Sequence, residues 1–399
     1  MMGQTTMSLV LLLFSSLFML PIVADDSLRK SCVDFTVPLT LTTTDLIWGR
    51  PKLESNVDLV SLIFDFNRRQ FHASIQSGHR RDFMATFNPI SGVQDNTRSY
   101  KIAGSYCEPF SGPRPTLLIA THGGSLDRSY WDSGYQSSNH SFVDFAVARG
   151  YSVLFYDRVG AGQSSTISGY EAQFSIHVGV LDNLIQYAKA GSIPRPNRGG
   201  LKYVPSKIVL VGHSMGSITT NALIAAKPDI ADGVVLSGWE YNSGVPNVFG
   251  LVAATSQLKI ANSMSRRWRP YDNGYLTFID IFSYINIFYK VPNFDMKAVQ
   301  YVFDRSWPIA VMEFFSIGAL NFAPPGAKAP VLFINGEYDY IMCGGYCPGI
   351  VEPAARSFFP ASVGYESYIQ PNTGHILNTA PNATGTYQVI TNFFSKNSL

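Results

Sequence analysis

Charge is what this chain has least of. Only 15% of its 399 residues are charged, and 30 Lys and Arg against 28 Asp and Glu leave a net charge of +2. A disordered chain needs high charge and few apolar residues, and this one is 46% hydrophobic and 13% aromatic, so it can bury a core. Near-neutrality removes the usual basis for binding nucleic acid or an anionic membrane surface. Cysteine is scarce too, at four residues, and no His and Cys spacing of a zinc site accompanies them. Long apolar runs are missing after the first 24 residues. No later stretch approaches the roughly 20 apolar residues of a membrane-spanning helix.

The N-terminus is where charge is absent altogether. No charged side chain precedes Asp25, and Ser8 to Ile22 is almost wholly apolar. This is the composition of a signal-peptide core, with Ala24 as the small residue before cleavage. The lack of Lys or Arg before Ser8 and the bulk of Ile22 depart from the ideal pattern. The expected organisation is a leader at 1–24 and one domain at 25–399, in a secreted protein with no stable membrane anchor. Secretion makes disulfides reasonable for Cys32, Cys107, Cys343 and Cys347. Three pairings are possible. The simplest joins Cys32 to Cys107 and closes a local loop with Cys343 and Cys347. Asn139-His140-Ser141 and Asn382-Ala383-Thr384 are glycosylation sequons in such a protein.

There is no internal repeat. Short β-branched and aromatic runs occur at Thr116–Ala120, Tyr151–Tyr156, Lys207–Val211, Gly233–Ser237 and Pro330–Asn335. Runs without strict alternation suit strands buried on both faces of a parallel sheet. Helical spacing lies between them at Phe142–Ala148, Ala172–Ala190 and Met215–Ala226. The alternation of strand and helix implies an α/β fold with a doubly wound, mostly parallel sheet. The apolar and polar alternation of Leu59–Phe87, and the run Ser99–Tyr106, predict antiparallel strands extending one edge. Between Gly238 and Pro325 no strand is evident and aromatics are dense. A mainly helical cap insertion at about 239–325 is expected, most of its aromatics forming its own core and a few facing a cleft at the strand ends.

Gly212-His213-Ser214-Met215-Gly216 follows one of those strands and opens a helix. In that setting G-x-S-x-G is a nucleophile elbow, a turn so tight that its flanks must be small. A serine hydroxyl needs a base. Of His72, His79, His122, His140, His177, His213 and His375, the last lies in a polar loop after a strand (Gly364–Ile369) and before the C-terminal helix. His213 points away from the hydroxyl by the geometry of the turn, and His140, within a sequon, is expected at the surface. Asp339, in Gly336-Glu-Tyr-Asp-Tyr340, follows the preceding strand and supplies the acid, with Glu240 as its competitor. The order Ser, acid, His is the one this arrangement requires. Backbone N–H groups of Met215 and of Gly124, in Thr121-His-Gly-Gly-Ser125, are placed to form an oxyanion hole.

Together with Asp157-Arg-Val-Gly-Ala-Gly-Gln-Ser164, these motifs make the chain resemble the α/β-hydrolase superfamily, in its lidded single-domain branch. The motifs run in family order from about residue 115 to the C-terminus. The Asp157 segment resembles the D-x-x-G-x-G-x-S loop that shapes the turn beside the oxyanion hole. The resemblance implies a serine hydrolase needing no metal or organic cofactor. Serine at the elbow disfavours the epoxide and halide branches, and Ser125-Leu126 after Gly124 departs from the proline iminopeptidase pattern. The combination of leader, sequons and motifs is similar to secreted fungal hydrolases. The aromatic insertion points to a small apolar ester or lactone as substrate. Acyl transfer, carbon–carbon hydrolysis of a secreted metabolite, and a catalytically silent binding module are the alternatives. Oligomeric state is not encoded in these features.

Overall fold

The computed structural model of the chain describes residues 30–75, 89–196, 202–241 and 253–399. The expected leader and His79 lie outside these ranges, and of residues 67–75 only the backbone is described. In chain order the main elements begin with β1 (Lys30–Trp48), α1 (Asn56–Ile75), β2 (Ile90–Pro109), β3 (Thr116–Thr121) and α2 (Phe142–Val147). Then come β4 (Ser152–Tyr156), α3 (Phe174–Lys189), β5 (Lys207–His213), α4 (Met215–Ala226) and β6 (Gly233–Ser237). The segment between β6 and β10 holds β7 (Leu258–Ile260), β8 (Tyr275–Phe278), α5 (Ile281–Phe288), α6 (Met296–Asp304), β9 (Ile309–Ala310) and α7 (Val311–Ser316). The chain closes with β10 (Val331–Gly336), α8 (Tyr340–Cys343), α9 (Val351–Phe358), β11 (Tyr365–Gln370) and α10 (Ala383–Lys396).

Eight strands form one sheet in the order β1-β2-β4-β3-β5-β6-β10-β11. From β4 to β11 every neighbouring pair is parallel, and β3, β4, β6 and β10 are buried along their whole length. This is the pattern of a sheet covered on both faces, and it matches the expected α/β architecture. The chain runs outward from β3 to β4, then returns past β3 to β5 and continues the other way. The carboxyl ends of β3 and β5 therefore flank a switch in winding direction, where open α/β sheets form their clefts.

At the other edge β1 and β2 make a long antiparallel ribbon, of which only Gly104–Cys107 pairs onward with β4. Strand β1 alternates inward Phe35, Val37, Leu39 and Leu41 with exposed Thr36, Pro38, Thr40 and Thr42. Hydroxyl pairs cross the outer face: Thr40 with Ser99 at 2.7 Å and Thr42 with Thr97 at 2.9 Å. Cys32 and Cys107 are direct cross-strand partners and are disulfide-bonded, as are Cys343 and Cys347. The simplest pairing is the observed one.

Three expectations need correction. Residues 56–75 of the stretch expected as antiparallel strands are helical, and 76–88 lie outside the described residues. Buried Leu59, Leu62 and Phe66 recur at helical spacing, and Ser55 and Asp58 exchange capping hydrogen bonds ahead of them. The alternation was a coincidence of composition. Between β6 and β10 there is a three-stranded antiparallel sheet, β7-β8-β9, as well as helices. Its strands are two to four residues long, too short to show a period. His140 is buried, with Nδ1 3.1 Å from the Asn378 carbonyl, although the sequon residue Asn139 beside it is exposed.

The aromatics between β6 and β10 divide between two clusters, and the core of their own that was expected to hold most of them is the smaller. Trp268, Tyr271 and Tyr275 form a small apolar cluster of their own, while Phe278, Tyr284 and Phe288 join the main core.

The Cys32–Cys107 bond closes a loop of 75 residues. Loop-closure entropy assigns such a crosslink roughly 4 kcal/mol. A Cys32→Ser/Cys107→Ser variant is expected to lose roughly 2 to 4 kcal/mol in urea unfolding. A midpoint equal to wild type would show that strand pairing alone holds the ribbon.

Candidate active site

Ser214 sits between β5 and α4 at φ 54° and ψ −119°, a left-handed conformation that costs a non-glycine residue on the order of 1–3 kcal/mol. Its neighbours hold it there. The Ser214 N–H donates to the Ser237 carbonyl at 2.8 Å, and the Ser217 hydroxyl donates to the same oxygen at 2.8 Å. Both elbow glycines are sterically required. A Cβ on Gly216 would lie 2.0 Å from the Thr121 carbonyl oxygen, and one on Gly212 would lie 2.6 Å from the Cα of Ser217.

His375 is on the loop after β11, and its Nδ1 is 2.7 Å from Asp339 Oδ2. The other Asp339 oxygen accepts from the Met342 N–H at 2.9 Å, so the carboxylate also caps α8. Both side chains are buried. A carboxylate against Nδ1 keeps the imidazole proton on that nitrogen and leaves Nε2 as the basic atom. Nε2 has no hydrogen-bond partner among the described residues. The ring is flanked by Phe288, stacked at 5.8 Å, and by His213 at 5.0 Å. A Cβ on Gly238, which follows the residue that holds the Ser214 N–H, would lie 3.0 Å from the Cε1 of both histidines. The His375 ring is thus packed against His213 of the elbow.

Two other carboxylates lie nearby, Glu337 and the competitor Glu240. Glu337 accepts from the Asn372 N–H at 2.8 Å, which ties down the turn leading to His375. Glu240 is buried in the wall of the cavity beside Ser214.

The Thr121–Ser125 loop leaves β3 and lies against the elbow. A Cβ on Gly123 would lie 3.0 Å from Ser214 Cβ, and one on Gly124 2.8 Å from Met215 Sδ. Gly124, Ser214 and Met215 line one cavity together. Met215 opens α4, where first-turn N–H groups lack intrahelical acceptors. The structure thus brings all five expected site residues to one place. In the Asp157 loop the carboxylate accepts from the Arg128 and Gln163 backbone N–H groups, each at 2.9 Å. A Cβ on Gly162 would lie 2.1 Å from that carboxylate.

The cavity measures about 360 Å³, within the range of roughly 300–1,000 Å³ typical of small-molecule sites. Its walls include Trp239, Phe278, Phe288, Ile309, Phe314 and Phe358, with Glu240 as the charged residue among them. Most of these wall positions were not individually legible in the sequence, because many aromatics compete for the same packing roles.

A buried polar group beside the site also escaped the sequence reading. Arg158 pairs with Glu313 of α7, whose Oε1 also lies 3.0 Å from His177 Nε2. Burial alone would raise the Glu313 carboxyl, but the Arg158 charge and the His177 hydrogen bond outweigh it and hold it at about 2. The signal was Glu313 itself, an acid in the apolar run Val311-Met-Glu-Phe-Phe315. Among the described residues no group of three or more His, Cys, Asp or Glu side chains is arranged to hold a metal ion.

Residues 117–384 match the α/β-hydrolase family, and the chain belongs to it. No curated protein sequence matches it significantly. Solved structures share its fold at low identity. A thermophilic esterase from Thermogutta terrifontis is 18% identical with a TM-score of 0.53, over 75% of this chain and 94% of that one. A bromoperoxidase from Bacillus anthracis is 17% identical with a TM-score of 0.51, over 75% and 96%. A carboxylesterase structure from Nitrososphaera gargenis is 11% identical with a TM-score of 0.51, over 75% and 96%.

Burial holds His122, His140, His177 and His213 below the ordinary imidazole value, so they stay neutral in the folded chain. The unfolded chain takes up protons on them as pH falls past about 6.5. Stability therefore rises with pH through that range and is lost as pH falls below it. The melting temperature is expected to drop between pH 7 and pH 5, and His140→Gln is expected to flatten part of that slope in calorimetry. An unchanged slope would remove His140 from the account.

Proposed function

We propose that the protein is a secreted serine hydrolase that cleaves a carboxylic ester, a lipophilic ester or lactone, through an acyl-enzyme. The observation that carries this is the Asp339–His375 pair packed over a strained serine elbow that opens onto an apolar cavity. Ser214 Oγ attacks the carbonyl carbon while His375 Nε2 takes its proton. Asp339 stabilises the imidazolium that results. The Gly124 and Met215 N–H groups receive the oxyanion of the tetrahedral intermediate. His375 then protonates the leaving alcohol, and water repeats the steps on the acyl-enzyme.

The apolar walls support a substrate with a hydrophobic acyl or alcohol part, whose burial contributes about 0.8 kcal/mol per CH₂. Secretion is supported by two disulfides, Cys32–Cys107 and Cys343–Cys347, and by exposed side chains at both sequon residues, Asn139 and Asn382, the proposed glycosylation sites. Among the described residues no helix is long and apolar enough to cross a membrane. The segment at about 239–325, which supplies Phe278, Phe288, Ile309 and Phe314 to the cavity, is the proposed cap.

Hydrolysis of a p-nitrophenyl ester series by the purified protein is expected to rise with acyl length from acetate and to vanish in Ser214→Ala. Turnover that is flat or falls with length would remove the apolar-substrate assignment. Turnover that survives in Ser214→Ala would remove the serine. Asp339→Asn presents an N–H to Nδ1 and forces the wrong tautomer, so kcat is expected to fall roughly 10⁴-fold with little change in KM. A loss below tenfold would return Glu240 as the acid.

A further inference from the structure

We propose that Arg158 is a positioning residue that aims the oxyanion-hole N–H of Gly124. This rests on the serine-hydrolase reading above. The peptide between Gly123 and Gly124 is trans, the only cis bond among the described residues being Val291–Pro292. In a planar trans peptide the C=O and the following N–H point in opposite directions. Whatever holds the Gly123 oxygen therefore sets the direction of the Gly124 N–H.

Two donors hold that oxygen. His122 Nδ1 is 2.8 Å away, and Arg158 Nη2 donates to it at 3.3 Å. The same Nη2 lies 3.9 Å from Met215 Sδ, on the residue proposed to supply the second oxyanion N–H. His122 is fixed in turn, because its Nε2 accepts from the Arg158 backbone N–H at 3.1 Å. A cation behind the carbonyl also polarises the peptide and makes its N–H a stronger donor.

Arg158 is itself anchored by Glu313, whose Oε2 accepts from the Ala310 N–H at 3.0 Å. Ala310 and Glu313 belong to β9 and α7, in the segment between β6 and β10. That segment grips the same loop at two more points. The Trp307 N–H donates to the Ser125 carbonyl at 3.3 Å, and Trp307 Nε1 donates to Asp127 Oδ2 at 2.9 Å. Seating of this segment and alignment of the oxyanion donor are thus one arrangement, with Arg158 as the link.

The test compares Arg158→Met and Arg158→Lys with wild type on the best p-nitrophenyl ester, and measures affinity for a trifluoromethyl ketone of the same acyl chain, which Ser214 converts to a tetrahedral adduct. Arg158→Met is expected to lower kcat by about 10- to 100-fold, below the loss of a whole oxyanion donor, with KM within about threefold. Ketone affinity should fall by the same factor as kcat. Arg158→Lys, which has one ammonium for two acceptors, should fall between the two. Should Arg158→Met misfold because Glu313 is left buried and unpaired, Arg158→Met/Glu313→Leu removes both charges, and it is expected to fold and keep the low kcat. An unimpaired kcat in any folded variant lacking the guanidinium overturns the inference, as does a loss confined to KM. A wild type that neither cleaves any ester nor binds the ketone would overturn the hydrolase reading itself.

Discussion

The site depends on how closely the first turn of α4 approaches the end of β3. A single Cβ at Gly216 would run into the Thr121 carbonyl, and this contact distance fixes where the elbow stands relative to the glycine loop. From it follow the left-handed backbone of Ser214, the hydrogen bond from Ser214 to Ser237, and the meeting of Gly124 with Met215. The strain at Ser214 persists because β3, β5 and β6 overdetermine the position from three sides. Ser214 is held in place by backbone packing and by the hydrogen bond from its own N–H to Ser237.

Much of this was legible before any coordinates. Parallel strands buried on both faces leave continuous apolar runs, and catalytic residues in such a sheet fall just after them. Ser214 and Asp339 each follow a run of that kind, while His375 follows the part-buried edge strand Tyr365–Gln370 and was picked out by its polar loop and its place in the order Ser, acid, His. Elsewhere the signals were local or ambiguous. Leu59–Phe87 alternated by composition while its buried residues kept a helical period, and the Ser55–Asp58 capping pair was the better guide. The alternation of β1 was present in the sequence but not singled out. Strands of two to four residues carry no period, so β7, β8 and β9 were invisible. His140 is buried beside an exposed Asn139 because the short helix Ser137–His140 turns one outward and the other inward.

The polar residues that were missed share a physical reason. Arg158, Glu313 and His177 come from three separate stretches of chain, and their meaning lies in meeting. In an apolar interior each would be costly alone, and together they satisfy one another. A buried acid such as Glu313 in an otherwise greasy helix announces that a partner exists, but not which residue it is.

Asp339 has two oxygens and two tasks. One orients His375, and the other caps the short helix whose Ile341 and Met342 form part of the cavity wall. That carboxylate is thus mortared into the wall of the cavity beside Ser214. Exchanges at Ile341 or Met342 that reshape the cavity would also disturb the hydrogen bond between Asp339 and His375. Wall residues from the segment between β6 and β10, such as Phe278 and Phe314, are not hung on the acid. A change in the shape of the cavity therefore has freer passage through that wall than through the one built on Asp339.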